Sequence, residues 1–283
     1  MECKKVQGVR GKIKEAEEIL MGKSFLICSG KGGVGKTTTT INLGIALGLF
    51  GKDITIVDAN LPTPNIALHL KIPSEVKTLN DVIRGDVGID KATYLLKSRV
   101  RVIPAAFGVE SLQGFEPKKF KRLIKKIETN NDLTLIDCAP GLGIEVINAL
   151  KASNNVIIVV NPEIPSLADA CKTIQIAHDL GVEIVGVIVN RGGRFRQELS
   201  DREISSVIGG AKIMGWVPED PLVASSISFG QPVVTYYPFS PAAYAFKQIA
   251  GALIGKRIEE KPSFIDRVKT FLAKHRWFGF ELS

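Results

Sequence analysis

An α/β fold, with a mostly parallel sheet and helices on both of its faces, is predicted from three observations. Short β-branched runs recur along the chain and alternate with stretches of helical spacing. A glycine-rich loop lies between one such run and a helix. Two apolar runs end in aspartate, at Asp58 and Asp137, the strand ends at which ligands bind in open α/β sheets.

The elements follow in order. Phe25–Cys28 is a short apolar run and reads as a buried strand. Gly30 to Thr37 fits G-x-x-x-x-G-K-[ST], the phosphate-binding loop, and Thr37–Phe50 reads as the helix behind it. Gly51-Lys52-Asp53 makes a turn into the strand Ile54–Asp58, and two prolines make 59–65 a loop. A short helical stretch closes at Arg84-Gly85-Asp86, and Val100–Ile103 is a third strand ended by Pro104. Glu116-Pro117 opens a helix, since proline suits its first position. Its apolar residues are Phe120, Leu123, Ile124 and Ile127. The other face carries Lys118, Lys119, Lys121, Arg122, Lys125 and Lys126, either a solvated outer face or an anion-binding one. Leu133–Asp137 is a fourth strand, Asn155–Val160 a strand buried on both faces, Ile184–Val189 another and Ala211–Val217 the last. Helical segments lie between them, notably Ser166–Leu180. One domain is expected over 23–255. An N-terminal extension, 1–22, precedes it, with a short helix over Lys12–Leu20, and a linker and helix, 256–283, follow.

Composition narrows the classes. The chain of 283 residues carries 37 Lys and Arg against 29 Asp and Glu, a net +8, so nucleic acid or anionic lipid is a plausible partner. The four cysteines are scattered without C-x-x-C, which argues against a zinc ribbon or an iron–sulfur ligand pair and fits reduced, cytoplasmic thiols. The three histidines do not cluster. No secretory signal is visible, and no stretch nears the roughly 20 apolar residues of a membrane span.

The loop implies its own chemistry. Glycines bring backbone N–H groups close to a phosphate, and the helix points its positive end at the same group. Gly30, Lys31, Gly32, Gly33, Val34, Gly35, Lys36, Thr37 and Thr38 are the candidate nucleotide contacts. Lys36 is expected to reach the β- and γ-phosphates, and the Thr37 hydroxyl to sit on Mg²⁺. Asp137, which ends an apolar strand, reads as the aspartate on the Mg²⁺ side, direct or through water. Asp58 is the third candidate metal residue, and Gly141 can follow a γ-phosphate through its N–H.

Near the C-terminus, Phe264, Ile265, Val268, Phe271 and Leu272 fall on one helical face. Arg267, Lys269, Lys274 and Arg276 supply charge, and Trp277 and Phe278 add large rings. This reads as an interfacial amphipathic helix, or else as a final helix packed on the domain or on a second subunit.

The stretch Lys31-Gly32-Gly33-Val34-Gly35-Lys36-Thr37-Thr38 resembles the deviant Walker A loop of the MinD/ParA family, MinD-like members above all. The resemblance implies a P-loop NTPase fold of the MinD/ParA type. It makes Lys31 the signature lysine that reaches a partner's nucleotide in an ATP-sandwich homodimer. Val57-Asp58 looks like switch I, Asp137 to Gly141 like switch II, and Val160 to Glu163 like a MinD-type segment. Asn190-Arg191 and Pro218-Glu219-Asp220-Pro221 look like adenine-side segments, and Gly230 to Val233 like a late MinD motif. No N-K-x-D is present, which favours ATP over GTP. Asn60 departs from the family pattern, which has a second aspartate there to position the attacking water, so slow hydrolysis is expected. Lys31, Lys36 and Asn60 are the candidate catalytic residues. The family's membrane-targeting terminal helix agrees with the tail read above. The expectation is a Mg²⁺-dependent ATPase switch, cytoplasmic and peripheral on the inner membrane face when ATP-bound, that positions other proteins through an unknown protein partner. A DNA-binding partition ATPase and a non-hydrolysing ATP-binding adaptor are the alternatives.

Overall fold

The computed structural model describes residues 22–96, 99–107, 116–194, 198–256 and 258. The helices expected over Lys12–Leu20 and from Ser263 onward lie outside the described residues.

The elements run β1 (Lys23–Cys28), α1 (Lys36–Leu49), β2 (Ile54–Ala59), α2 (Ile66–His69), α3 (Leu79–Arg84), a 3-10 turn (Ile89–Ala92), β3 (Tyr94–Leu95) and β4 (Val100–Ile103). They continue with α4 (Pro117–Glu128), β5 (Leu133–Cys138), α5 (Ile144–Ala152), β6 (Asn155–Val160) and α6 (Ile164–Asp179). Then come β7 (Glu183–Gly192), α7 (Asp201–Val207), β8 (Ile213–Pro218), α8 (Pro221–Ser228), α9 (Val233–Tyr236) and α10 (Pro241–Leu253). The strands form one sheet in the order β3-β4-β2-β5-β1-β6-β7-β8, parallel except for β3. This is the mostly parallel α/β fold that the sequence predicts.

Burial explains the strand sequences. Every residue of β2, β5 and β6 is buried, as continuous apolar runs demand when helices cover both faces. One face packs Leu26, Ile136 and Ile158 with Phe120 of α4, Leu150 of α5 and Leu167 of α6. The other packs Phe25, Leu135 and Val159 with Leu43 of α1 and Phe246 of α10. Local signals set several helix ends. Thr78 and Asp81 form a capping box on α3, and Gly85 ends it at φ 90. Pro117 opens α4 and Pro165 lies in the first turn of α6, so α6 begins two residues before the expected Ser166.

Some elements differ from expectation. The pair Tyr94–Leu95 is too short to show a period, and only its pairing with β4 makes it a strand. β7 runs on to Gly192, so Asn190 and Arg191 lie inside the strand. The last strand starts at Ile213 and not Ala211.

Topology positions the site. β1 lies between β5 and β6, so the loop after it emerges where the connections diverge to either side. In register, Asp137 pairs with Ile27 on one side and Asp58 on the other. Both aspartates are thus held beside the phosphate loop by the sheet itself.

Candidate functional site

The loop after β1 is shaped by its glycines. Gly33 and Gly35 have φ 78 and 93, in the region that glycine adopts freely. A Cβ on Gly30 would overlap the backbone carbonyl of Asp169, so at this position the loop lies against α6 with no room for a side chain. α1 then begins at Lys36 with no side-chain cap and no acid in its first turn. The first N–H groups of a helix have no partner inside it, so this terminus is a donor cradle suited to a phosphate.

Side chains converge on that cradle. Lys36 is buried, and its Nζ donates to Ser29 Oγ at 3.0 Å. Ser29 Oγ donates in turn to the Lys31 carbonyl at 2.7 Å, which leaves its lone pairs for Lys36. Thr37 Oγ1 donates to Asp137 Oδ2 at 2.6 Å, and Thr40 Oγ1 lies 3.3 Å from Asp137 Oδ1. A hydroxyl and a carboxylate side by side at a phosphate loop are oxygen donors that suit Mg²⁺, which takes few protein ligands and keeps phosphate oxygens and water. The donor set therefore fits a Mg²⁺-nucleotide. Sequence pattern does not mark Ser29 or Thr40, since neither falls in a motif position with an assigned role.

Asp58 is engaged differently. It is fully buried, with Oδ1 accepting from the Asn60 N–H and Oδ2 from the N–H groups of Asn65 and Ile66, each at 3.1 Å. Asp58 thereby folds the loop 60–66 and holds the start of α2. Asn60, the candidate for positioning water, turns its amide into the same loop. Its Nδ2 donates to the Thr63 carbonyl, and its Oδ1 accepts from Thr63 Oγ1 at 3.1 Å. Gly141 has φ 82, and Pro140 comes up to Gly32, so the loop after β5 abuts the phosphate loop.

The expected base-side residues gather at the other flank. Asn190, Arg191, Pro218, Glu219 and Asp220 line one pocket with Gly35 and Thr38. Asn190 also clasps the loop, donating from Nδ2 to the Val34 carbonyl at 2.7 Å. Arg191, at φ 60, stands 3.7 Å from Glu219. Asp220 faces inward: its oxygens accept from the N–H groups of Leu222 and Ala242, capping α8 and reaching the start of α10. Asp220 thus both lines the pocket and caps a helix.

At the rim, Lys31 Nζ lies 3.4 Å from Glu163 Oε2, both side chains about a third exposed. Ile144 and Ile164, which open α5 and α6 at the same end of the sheet, are 63% and 56% exposed. Sequence pattern did not mark them, because one apolar residue in a helical stretch looks like core until the turn phase is known.

The two aspartates give the nucleotide-free protein a distinctive pH response. Burial, with the charge of Asp137 next, raises the pKa of Asp58 to about 8, against three backbone N–H groups. Burial raises Asp137 to about 6, against the Thr37 hydroxyl and the charge of Lys36. The folded chain then holds more protons than the unfolded one, so stability falls as pH rises through these values. Burial lowers the pKa of His69, which acts the opposite way but only below its ordinary 6.5. Between pH 6.5 and about 8 the melting temperature without nucleotide is expected to fall, a loss on the order of 1 kcal/mol per pH unit. Calorimetry across that window checks this, and a flat or rising curve contradicts it.

Comparison with known proteins places this arrangement. A family described as an AAA domain matches residues 22–180. An uncharacterized ATP-binding protein of Methanocaldococcus jannaschii is 40% identical over 253 residues, covering 88% of this chain and 96% of that protein. The septum site-determining protein MinD of Synechocystis sp. is 31% identical over 90% of this chain and 95% of its own length. The solved MinD of Pyrococcus horikoshii, complexed with Mg-ADP, superposes with a TM-score of 0.77 at 34% identity, over 82% of this chain and 95% of that one.

Proposed function

This chain belongs to the MinD/ParA family of P-loop ATPases, and on that premise we propose that it is a Mg²⁺-dependent ATPase switch that dimerises with ATP and binds a membrane surface reversibly to position other proteins. One observation carries the reading furthest. The phosphate loop bears a partly exposed cation, Lys31, and α5 and α6, which start at the same end of the sheet, open on two strongly exposed isoleucines, Ile144 and Ile164. A site closed within one molecule does not need apolar residues at its mouth, whereas a site shared by two molecules does.

Each residue then has a role. Gly30 to Thr38 cradle the phosphates through backbone N–H groups, and Lys36 neutralises the β- and γ-oxygens. Thr37 and Asp137 would hold Mg²⁺, which would supply positive charge to the phosphate oxygens. Asp58 acts through the loop it folds. Asn190 and Arg191, with the 218–220 segment, border the base. Lys31 leaves Glu163 for the nucleotide of the partner subunit. Asn60 has no charge and cannot take a proton, so turnover is slow and the ATP-bound dimer long-lived. The Asn60→Asp variant is expected to hydrolyse ATP several-fold faster, and an unchanged rate in a phosphate-release assay defeats that part of the proposal.

Sedimentation velocity tests the switch. The wild type is expected to become a dimer with ATP and Mg²⁺ and to remain a monomer with ADP. Ile144→Asp should stay monomeric with ATP while still binding it, because a carboxylate at the contact is desolvated without a partner. A mass unaffected by ATP in the wild type overturns the proposal. Among the described residues no helix is long and apolar enough to cross a membrane. Surface attachment is therefore assigned to the segment after Lys261, whose removal is expected to abolish co-sedimentation with anionic vesicles.

A further inference from the structure

After Lys36, α1 runs through four consecutive threonines, Thr37 to Thr40. β-branched side chains lose rotamer freedom in a helix and weaken it slightly, so such a run calls for tasks beyond helix formation. The fold gives the four side chains different surroundings. Thr37 donates to Asp137 Oδ2 at 2.6 Å, and Thr38 lines the pocket with Asn190 and Asp220. Thr39 is fully buried, and among the described residues its hydroxyl has no hydrogen-bond partner. Thr40 is also fully buried, but its hydroxyl lies 3.0 Å from the Lys36 carbonyl oxygen and 3.3 Å from Asp137 Oδ1. Thr37 and Thr40 are three residues apart and so share one helix face. That spacing sets both hydroxyls against the same carboxylate, one on each oxygen.

A carboxylate needs both contacts to keep its plane. The sheet fixes the Asp137 backbone through its register with Ile27 and Asp58. It does not fix the last torsion of the side chain, which joins an sp³ to an sp² carbon and has broad wells. The Thr37 bond restrains that torsion at one oxygen, and Thr40 supplies the second point of attachment. The Thr40 hydroxyl is itself aimed by the helix, because its contact with the carbonyl of the residue four before holds χ1. Asp137 is fully buried, so an Oδ1 without a donor would be left both desolvated and unpaired. Helix formation alone does not account for the Thr40 contacts, since Thr39 beside it makes neither.

We propose that Thr40 is a positioning residue for the Mg²⁺ side of the phosphate site: its hydroxyl sets the plane of the Asp137 carboxylate, so that Oδ2 and the Thr37 hydroxyl face the same cation. The inference rests on the assignment of Thr37 and Asp137 to Mg²⁺ made above and extends it to a residue outside the loop motif. Thr40 acts through Asp137 and needs no contact of its own with nucleotide or metal. Removing a group that orients a metal-binding side chain weakens metal affinity about 10–100-fold, which sets the scale of the expected effect.

The experiment uses the full chain and reads Mg²⁺ dependence twice: by calorimetric titration with ATP at a series of Mg²⁺ concentrations and in EDTA, and by phosphate release over the same series. Thr40→Val removes the hydroxyl at nearly constant size. It is expected to raise the Mg²⁺ concentration for half-maximal ATP binding and turnover roughly ten-fold or more, with ATP affinity in EDTA unchanged. Thr40→Ser keeps the hydroxyl and should restore most of the wild-type Mg²⁺ dependence. Thr39→Val removes the unpartnered hydroxyl next to it and should leave that dependence alone. A melting curve without nucleotide identifies a variant that has not folded; should Thr40→Val be one, Thr40→Ala set against Thr40→Ser carries the same test. A Mg²⁺ shift no larger in Thr40→Val than in Thr39→Val overturns the assignment, as does Thr40→Ser behaving like Thr40→Val. Equal loss of ATP binding with Mg²⁺ and in EDTA overturns it too, since the hydroxyl would then shape the phosphate loop and not the metal side. A wild type whose ATP binding and turnover ignore Mg²⁺ overturns the metal reading of Thr37 and Asp137 itself, an outcome seen before any variant is made.

Discussion

Lys36→Ala is expected to weaken ATP binding and to lower turnover at least about a hundredfold, on the scale of losing a group that stabilises transition-state charge. The Lys36 ammonium is buried at 7% exposure, with Ser29 Oγ as its hydrogen-bond partner and, among the described residues, no carboxylate at ion-pair distance. A buried cation held this way is costly in the free protein and is compensated only when anionic oxygens arrive. The variant should therefore lose nucleotide affinity without losing fold, its nucleotide-free melting temperature falling by no more than a few degrees. The charge of Lys36 also holds down the pKa of Asp137, so its removal should raise the Asp137 pKa and weaken Mg²⁺ dependence. Calorimetric titration with Mg-ATP, beside a melting curve without it, checks both halves. Retained affinity, or a collapsed melting temperature, contradicts this account of the residue.

Gly30→Ala is expected to do the reverse: to damage the fold first and the site through it. A Cβ there would overlap the carbonyl carbon and oxygen of Asp169 and stand 2.5 Å from its Cβ. Two of these are backbone atoms inside α6, so no rotamer relieves the contact and the helix itself must shift. Overpacking of this kind costs roughly 3 kcal/mol or more, and in a domain of this size each kcal/mol moves the melting temperature by about 2–4 °C. A fall on the order of 10 °C in scanning calorimetry is expected. Gly33→Ala, whose Cβ would meet nothing within 4 Å, should cost only the strain of its φ of 78, roughly 1–2 kcal/mol. If the two variants melt alike, close approach to α6 is not what Gly30 provides.

The parts legible in the sequence share a physical basis. Strands buried on both faces have to be continuously apolar, so β2, β5 and β6 could be read from composition alone. The phosphate loop could be read because backbone geometry restricts its residue types at fixed spacing. Partnerships were not legible. Asp58 and Asp137 look alike in sequence, each closing an apolar run, yet one accepts three backbone N–H groups and the other two threonine hydroxyls. Asp220 caps α8 locally through the Leu222 N–H, but its second contact, the N–H of Ala242, depends on α10 arriving from more than twenty residues away.

The sequence by itself determined that this chain builds a parallel α/β sheet with a phosphate loop after its first strand, because that information is local: period, hydropathy and glycine placement. Its Lys31 also carried the resemblance to the MinD/ParA family. Tertiary structure alone decided that Lys31 rests on Glu163 and that Ile144 and Ile164, at the starts of α5 and α6, stand exposed. Those facts depend on which helix phase faces solvent and on which distant segments share an end of the sheet, and no window of sequence contains either.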